Sequence, residues 1–363
     1  MILKSLSITF LLGIIICSLP YTCNISDLFS SSQNSFVEEM RLYSVWGGEG
    51  SDNLYDVCLT STGDLMAVGY TESYVNDGKR DALIIKFDKN LNIILNKTVS
   101  VGYDETLLRL HQHDDYIFAI GWIEKPISPS GMILRMNLNG SDIRMKIFEN
   151  STFFDLDIVG DKLFIAGITG YNEDNIDMQI VVMDKDLNVL ETWTWGAAEC
   201  NETIHSIVCL GDMIYIAWSM KMRSNKTAFV SAFSITEKKF VWNTTIHTGD
   251  ETIILWNIET YRDRIFISIL QEELWDTYPV GWLSRIVCLD SQGRKIWNIS
   301  LDYADETNAF GMYIDSFGII HIAGELLDLY PLSTNILRKN ISGWRIIIRR
   351  FIQSFYRPNR YHW

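Results

Sequence analysis

The stretch DETLLRL at residues 104–110 opens a pattern that decides the fold, because it returns along the chain about every fifty residues. Each copy of this polar turn precedes three or four short runs of β-forming residues, bounded by Gly, Asn or Asp. The copies are Asp104-Glu105-Thr106, Asn201-Glu202-Thr203, Asp250-Glu251-Thr252 and Asp305-Glu306-Thr307, with Ser51-Asp52-Asn53 as a looser version. A period of this length, built from short strands, predicts a β-propeller with one four-stranded blade per repeat.

The second run of each repeat is the most regular part of the pattern. These runs are almost wholly apolar, as expected of strands that are buried on both faces between neighbouring blades. Their matching end positions lie 52, 46, 51, 51 and 55 residues apart and are Gly69, Gly121, Gly167, Trp218, Ile269 and Gly324. We therefore predict an all-β fold over residues 41–351: a six-bladed β-propeller of four-stranded antiparallel blades.

The sixth repeat is incomplete in this interpretation. It supplies three runs, residues 309–313, 319–324 and 344–351, and no fourth. Residues 41–46 resemble the fourth runs of the other repeats but have no repeat of their own. We predict that they form the outer strand of the sixth blade and close the ring, which removes the open edges of a linear array. A seven-bladed ring is the alternative, although no residues remain to build the extra blade.

Both ends of the chain lie outside the predicted propeller. A charged start and an apolar stretch at residues 6–19 predict a signal peptide over residues 1–22, with an uncleaved membrane anchor as the alternative. Residues 23–40 are predicted to be a linker. Residues 352–363 form an aromatic and basic tail, for which we consider contact with a membrane surface, with an acidic neighbour or with its own ring.

Nine Asn-x-Ser/Thr triplets indicate export, because the triplet is a glycan acceptor only in exported chains. The predicted glycosylation sites are Asn24, Asn96, Asn139, Asn150, Asn201, Asn225, Asn243, Asn298 and Asn340.

The six cysteines leave two interpretations open. A disulfide such as Cys200 with Cys209 fits an exported chain, and buried free thiols fit the sequence equally well.

The first repeat carries a resemblance to a known family. Its residues Trp46-Gly47-Gly48, Asp56, Gly63-Asp64-Leu65, Val68-Gly69-Tyr70-Thr71 and the segment 81–88 resemble the SBBP-type β-propeller repeat of secreted bacterial and archaeal proteins. Residues 290–297 are similar to the strand-turn-Trp unit of quinoprotein-like propellers. The first resemblance implies the fold and brings no catalytic residues. The second implies a pocket whose residues the sequence does not identify.

Two patterns look like metal sites and are interpreted as turns. Asp88-Lys89-Asn90, Asp184-Lys185-Asp186 and Asp290-Ser291-Gln292-Gly293 begin like a calcium loop, but they lack the Gly and Glu that complete it. His111 and His113, with Asp114 or Asp115 nearby, have a spacing that suits a metal but fall where a turn is predicted. No nucleophile elbow or phosphate loop is present. The sequence therefore predicts no catalytic, cofactor-binding or metal-binding residues and no cofactor.

The repeated turns place a carboxylate before the first strand of several blades. If these strands line the axis of the ring, Glu105, Glu202, Glu251 and Glu306 form an axial carboxylate ring that gathers a cation or a basic ligand. The alternative is a structural turn that bonds to its own backbone.

These observations predict an exported, N-glycosylated cell-surface or extracellular propeller for recognition, adhesion or assembly of an envelope or filament, without catalysis. The expected partners are other envelope or extracellular proteins, or glycans, bound on the face that carries only Asn139. Nucleic acid is excluded, because the first 337 residues hold 24 basic and 45 acidic residues.

Two other functions stay open. One is a secreted enzyme, a hydrolase, lyase or quinoprotein-like protein with its site in the axial funnel. Converging His, Asp, Arg or Tyr side chains with a deep pocket on the axis favour this enzyme, whereas an apolar, plugged channel favours binding alone. The other is a membrane-anchored subunit of a larger complex, which requires residues 1–22 to persist in the mature protein.

Overall fold

Runs rich in Ile, Val, Leu, Phe and Tyr form the strands that make up the regular structure of the described residues. The computed structural model describes residues 46–75, 78–171, 175–223, 225–249, 252–275, 278–301, 306–327, 336–341 and 344–351. These residues form twenty-four strands in six four-stranded sheets. Within the described ranges no helix has the length and apolar character needed to cross a membrane. The predicted signal or anchor, linker and tail, residues 1–22, 23–40 and 352–363, lie outside the described residues.

The first three sheets take four consecutive strands each. Their bounds are β1 Asp52–Leu59, β2 Leu65–Thr71, β3 Asp81–Phe87, β4 Ile93–Val99, β5 Asp104–His113, β6 Tyr116–Glu124, β7 Ser130–Asn137, β8 Arg144–Glu149, β9 Ser151–Val159, β10 Lys162–Thr169, β11 Asp177–Asp184 and β12 Val189–Trp195. The last three sheets contain β13 Asn201–Leu210, β14 Met213–Met222, β15 Asn225–Ser234, β16 Lys239–Gly249, β17 Ile253–Tyr261, β18 Arg264–Trp275, β19 Tyr278–Asp290, β20 Lys295–Ser300, β21 Glu306–Ile314, β22 Ile319–Leu327, β23 Ile336–Ile341 and β24 Trp344–Phe351.

Five sheets are antiparallel meanders with strands in chain order, as predicted. The sixth sheet has the order β21-β22-β24-β23, and β22 pairs with β24 in parallel. The prediction that this sheet lacks a fourth strand of its own is wrong, because β23 occupies the outer position. The reason is local: β23 and β24 are separated by two residues and pair as a hairpin, so β24 turns back between β23 and β22.

The core consists of layers between consecutive sheets. Five apolar clusters each join one sheet to the next, from the first to the sixth. Second strands such as β2 and β10 are buried along almost their whole length, whereas outer strands such as β4 and β12 alternate between exposed and half-buried residues. The first strand of each sheet packs on the first strand of the next. This arrangement of sheets is propeller-like.

A sixth apolar cluster covers the other face of the first sheet and includes Trp46. The Trp46 ring lies 5.2 Å from the ring of Tyr74, which follows β2. Trp46 is the one described residue of the segment 41–46, and it belongs to no strand. It packs on the first sheet and is not part of the sixth sheet's outer strand. Closure of the ring stays a prediction.

Each first strand contains a β-bulge at the same place. One extra residue lies in each bulge, and these residues are Tyr55, Leu108, Phe154, His205, Trp256 and residue 310. The residue before the bulge pairs with Gly69, Gly121, Gly167, Trp218, Ile269 and Gly324 in the six sheets. The six matching positions predicted from the sequence are therefore confirmed as structural equivalents.

Close backbone approach explains the glycines at two of these positions. A Cβ on Gly69 would lie 1.8 Å from the carbonyl oxygen of Asn53, and one on Gly121 would lie 1.9 Å from that of Thr106. No side chain fits at such distances, so the bulge in these sheets requires glycine.

Candidate functional site

The residues that follow the bulges form one row of polar side chains on the inner strands. Side chains alternate across a strand, and the next residues along, such as Leu110 and Ile207, belong to the apolar layers between sheets. The residues that follow the bulges therefore face away from these layers, towards the side on which the first strands meet. This inner row consists of Asp56, Arg109, Asp155, Ser206 and Asn257.

Members of the inner row hold neighbouring first strands together. Asp155 accepts hydrogen bonds from the Ser206 hydroxyl at 2.6 Å and from the Ile207 N–H at 2.8 Å, both on the next sheet. Asp56 and Ser206 act in the same way. They accept from the N–H groups of Leu110 at 2.9 Å and Ile258 at 3.2 Å.

Arg109 differs from the rest of the row because it carries donors alone. Its Nε lies 3.7 Å from Oδ1 of Asp155, so the pair is a half-buried ion pair. Its Nη2 also reaches the carbonyl oxygen of Trp256 at 3.5 Å. Trp256 lies on the fifth sheet and Arg109 on the second. The side chain therefore reaches from the first strand of the second sheet to that of the fifth.

A second row lies two residues further along the same strands and includes His111, Asp157 and Glu259. Burial, together with the nearby charges of Asp155, Asp157 and Asp56, raises the pKa of Glu259 to about 8. Asp157 accepts from the Cys209 N–H at 2.6 Å, which lowers its pKa but does not cancel the rise caused by burial. Glu259 is therefore a protonated carboxylic acid at neutral pH.

Asp56 is the second group whose pKa lies near neutral pH. Burial raises its pKa to about 6, against the opposing effects of the Arg109 charge and of two backbone N–H donors. The pKa of Asp155 is also raised by burial and is lowered in part by Arg109. Two carboxyl groups in one site thus differ in protonation at pH 7: Glu259 holds its proton and Asp56 has mostly lost its own.

Burial lowers the pKa of His111, which lies close enough to Asp155 for that charge to oppose the shift, and this imidazole is neutral at pH 7. Burial also lowers the pKa of His205, a bulge residue, to about 4, and its Nε2 lies 2.7 Å from the hydroxyl oxygen of Ser219. The site therefore offers a proton donor, a proton acceptor, a neutral imidazole and one guanidinium, which is a set suited to acid–base chemistry.

The predicted carboxylate ring is not assembled by its described members. Glu105 is fully buried and turns back into its own loop, where it accepts from the backbone N–H groups of Tyr103 at 2.9 Å and Val101 at 3.2 Å. Glu202 accepts in the same way from Ala197 at 3.1 Å. These two residues are structural caps, as the alternative interpretation expected. Glu251, and the side chain of Glu306, lie outside the described residues.

The strand register explains why the repeated turn suggested a carboxylate ring that its described members do not form. Glu105 and Glu202 lie two residues before the start of the bulge, whereas Glu306 lies three residues before it and Glu251 four. The four glutamates are therefore not equivalent positions. The four turn sequences are similar because Asp, Asn and Thr are favoured in turns in general.

The histidine pair predicted from spacing is divided between two environments. His111 lies in the second row, whereas Nε2 of His113 lies 3.7 Å from Asp161 and 3.8 Å from Asp114 at the turn. His113, Asp114 and Asp161 are the one group of three or more His, Cys, Asp or Glu in the described part of the chain whose ligand atoms all lie within 4.8 Å of one another. Both aspartates are largely exposed, which fits a solvated turn.

The predicted turns that resemble calcium loops form as turns. Asp88 accepts from the N–H groups of Asn90 and Asn92, both at 2.8 Å, and Asp184 repeats this pattern with Asp186 and Asn188. A third copy lies at Asp290, which accepts from Gln292 and Arg294. The oxygens that a cation would use are thus engaged by the backbone.

The described acceptor asparagines lie mostly at the surface. The exposed ones are Asn96, Asn139, Asn201, Asn225, Asn243 and Asn298. Asn150 is half-buried with a φ of 57°. Asn24, and the side chain of Asn340, lie outside the described residues.

The described cysteines Cys58, Cys200, Cys209 and Cys288 are free thiols, so Cys200 and Cys209 do not pair. Burial raises the pKa of Cys58 to about 12, which makes this thiol inert.

The inner row was missed by the sequence analysis, although a signal exists. Asp56, Arg109, Asp155, Ser206 and Asn257 are spaced 53, 46, 51 and 51 residues apart, at the same period as the apolar second runs. A polar position that recurs at the period of the repeat, inside an otherwise apolar strand, marks a shared internal surface. Glu259 lies two residues beyond that position.

Comparison with known proteins gives structural likeness alone. No protein-family model and no curated protein match the chain. A variant of the Synechocystis apocarotenoid oxygenase is 10% identical with a TM-score of 0.45, and the match covers 70% of this chain and 63% of the oxygenase. The chain thus spans less than two thirds of that enzyme.

Two arabinanases match over nearly their whole length. The GH43 endo-arabinanase from Bacillus licheniformis is 11% identical with a TM-score of 0.37, and the match covers 69% of this chain and all of the enzyme. The α-L-arabinanase of Cellvibrio cellulosa is 12% identical with a TM-score of 0.40, and the match covers 69% of this chain and 96% of the enzyme.

The prediction of a recognition or adhesion protein without catalysis is wrong, because the inner strands carry groups suited to acid–base chemistry. The criterion set from the sequence had two parts, converging polar side chains and a deep pocket, and the inner strands meet the first. Converging Asp, Glu, Arg and His side chains line these strands in place of an apolar plug.

Proposed function

We propose that this chain is an exported hydrolase, built on a closed six-bladed propeller, that uses the carboxyl groups of its inner strands as general acid and general base. The observation that carries the proposal is the contrast between Glu259, which has a pKa of about 8, and Asp56, which has a pKa of about 6, in one site. Carboxyl groups with separated pKa values form an acid–base pair that works at neutral pH.

Ring closure is supported by the contact between Arg109 and the Trp256 carbonyl. In a closed ring of six sheets the second and fifth sheets face each other across the axis. A contact of 3.5 Å between their first strands fits that geometry. The unbroken series of apolar layers from the first sheet to the sixth also fits a ring.

The proposed reaction moves one proton at each side of the bond that is cleaved. Asp56, mostly ionised at pH 7, takes a proton from the attacking water. Glu259 donates its proton to the leaving group. Arg109 stabilises negative charge that develops in the site, and its ion pair with Asp155 fixes the position of the guanidinium.

The proposal retains export and N-glycosylation. Six of the acceptor asparagines are exposed, as glycan attachment requires. The protein partners predicted from the sequence play no part in the reaction. The resemblance to SBBP-type repeats is compatible with the closed ring.

A pH profile on the purified full chain tests the proposal. We would assay chromogenic glycosides, esters and phosphates as separate panels between pH 4 and 10. Hydrolysis in any panel should show a bell-shaped dependence of kcat/KM with limbs near pH 6 and pH 8, set by Asp56 and Glu259. Hydrolysis in none of the panels, or a profile that Glu259→Gln leaves unchanged, contradicts it.

A further inference from the structure

A cleft with aromatic walls lies beside the inner strands, between the second and third sheets. Its volume is about 460 Å³, and its walls include Trp122, Phe154 and Tyr171. Trp122 lies near the end of β6, Phe154 on β9, and Tyr171 just after β10. Pockets in which a few polar groups interrupt an aromatic lining are characteristic of small-ligand sites.

The cleft adjoins the inner row at Phe154. Phe154 is the extra residue of the third sheet's bulge, and Asp155 of the inner row follows it in the chain. A strand rises by about 3.3 Å per residue, so a ligand ring against Phe154 lies within one sugar unit of the inner row. Ligand bound here therefore extends towards Asp155 and its neighbours.

The charges around the cleft are balanced in pairs. Lys125 lies 2.8 Å from Glu149, and Glu124 lies 3.0 Å from Arg80. Among the described residues, the two charged side chains that line the cleft, Glu124 and Lys125, each have an opposite partner, so this lining carries no unpaired charge. Hydroxyl oxygens at Thr152 and Ser128 are present in the walls, and the Thr152 oxygen accepts from the Tyr171 hydroxyl at 2.9 Å.

We propose that this cleft binds a neutral saccharide, and that it holds the sugar next to the bond that the inner-strand carboxyls cleave. A sugar ring has an apolar face of C–H groups, which packs on an aromatic ring, and an edge of hydroxyls, which requires hydrogen-bonding groups. The three aromatic walls and the neutral polar groups match both. The inference deepens the proposed function and rests on it for the reaction. Binding itself requires no catalysis.

Binding can therefore be measured without turnover. We would titrate the full-length Glu259→Gln variant calorimetrically with cellohexaose, xylohexaose and arabinohexaose, and with the anionic hexagalacturonate. At least one neutral oligosaccharide should bind, and hexagalacturonate should bind more weakly. Trp122→Ala should weaken binding about ten-fold because it removes an aromatic wall. Phe317→Ala changes an aromatic residue that is 74% exposed at a distant turn and should leave binding unchanged.

Each outcome bears on one proposal. If no neutral oligosaccharide binds, or if Trp122→Ala and Tyr171→Ala both fold and bind as tightly as their parent, the saccharide cleft is refuted. Hydrolysis of an ester or phosphate would still support the proposed function in that case. If an oligosaccharide binds in the cleft but the unmodified chain does not cleave it, the cleft is supported and hydrolysis of saccharides is refuted.

Discussion

Aspartates in two regions of this protein make the same kind of hydrogen bond and have opposite pKa shifts. In the exposed turns, hydrogen bonds from the side chains and backbone of Asn92 and Asn188 lower the pKa of Asp88 and Asp184. On the inner strands Asp157 also accepts two backbone N–H bonds, yet burial raises its pKa. Removal of a carboxylate from water therefore raises its pKa by more than two hydrogen bonds lower it. In the exposed turns the same kind of hydrogen bond determines the direction of the pKa shift, because burial is slight.

The contrast explains how one residue type serves two purposes. Turn aspartates are ionised and hold the loop that joins the third and fourth strands. Carboxyl groups on the inner strands also join neighbouring strands. The pKa values of Asp56 and Glu259 lie near neutral pH, so these two groups can exchange protons. Variants of the inner strands can therefore be compared with matched variants of the exposed turns.

The largest effect is expected from Glu259→Gln, which keeps the shape of the side chain but cannot donate the proton. Loss of a general acid should lower kcat by about 1,000-fold, and circular dichroism should show a native fold. Glu237→Gln in an exposed turn, where the carboxylate pairs with Lys239 at 3.0 Å, is the matched control and should retain activity. Equal activity of the two variants would remove Glu259 from the mechanism.

The second effect concerns Arg109→Met, which removes the guanidinium from Asp155. An uncompensated buried carboxylate should lower the free energy of unfolding by about 3 kcal/mol in urea denaturation. Lys239→Met breaks the exposed pair with Glu237 and should cost less than about 1 kcal/mol. Similar losses in both variants would mean that the inner row is solvated like a turn.

A third prediction concerns the pH dependence of stability. The folded pKa of Glu259 lies above its ordinary value of 4.5, so the folded state binds more protons between pH 4.5 and pH 8. Stability should therefore fall as pH rises through this window, by up to about 1.4 kcal/mol per pH unit. Thermal unfolding of Glu259→Gln should show a flatter dependence, and an equally steep one would assign the effect elsewhere.

The smallest effect is expected in the turns. Asp184→Ala removes the oxygens that accept from Asp186 and Asn188, at a cost of about 1 kcal/mol. Because the folded pKa of Asp184 is lowered, the stability it confers is present above its ordinary pKa of 3.8 and lost as pH falls below it. The variant should thus differ from the parent at pH 7 and converge with it in acid. A constant difference at all pH values contradicts this.

The sequence was sufficient for the sheets because apolar second strands are a local pattern. The six equivalent positions from Gly69 to Gly324 were identified from spacing alone, and the structure places each opposite the residue before a β-bulge, which the sequence had not predicted. The sixth sheet was predicted incorrectly because β23 is short and polar, with Arg338, Lys339 and Asn340 in its middle. Its pairing with β24 depends on a hairpin that hydrophobic periodicity does not detect.

The site was harder to predict because its chemistry depends on burial and on neighbours from other sheets. Asp56 and Asp88 are the same residue in the sequence, and the fold decides which one is removed from water. The pKa of Glu259 reflects carboxylates on the first and third sheets, which are more than 100 residues away in the chain. No local motif contains this information.

The central claim is that Glu259 carries a proton at neutral pH. Infrared spectroscopy of the full-length protein at pH 7, in deuterated buffer, measures this directly through the carbonyl stretch of a protonated carboxyl group. We predict a protonated-carboxyl band that disappears in Glu259→Gln and titrates with a midpoint near pH 8 in the parent. A spectrum at pH 7 in which Glu259→Gln removes only carboxylate absorption, with no protonated band lost, would contradict the account.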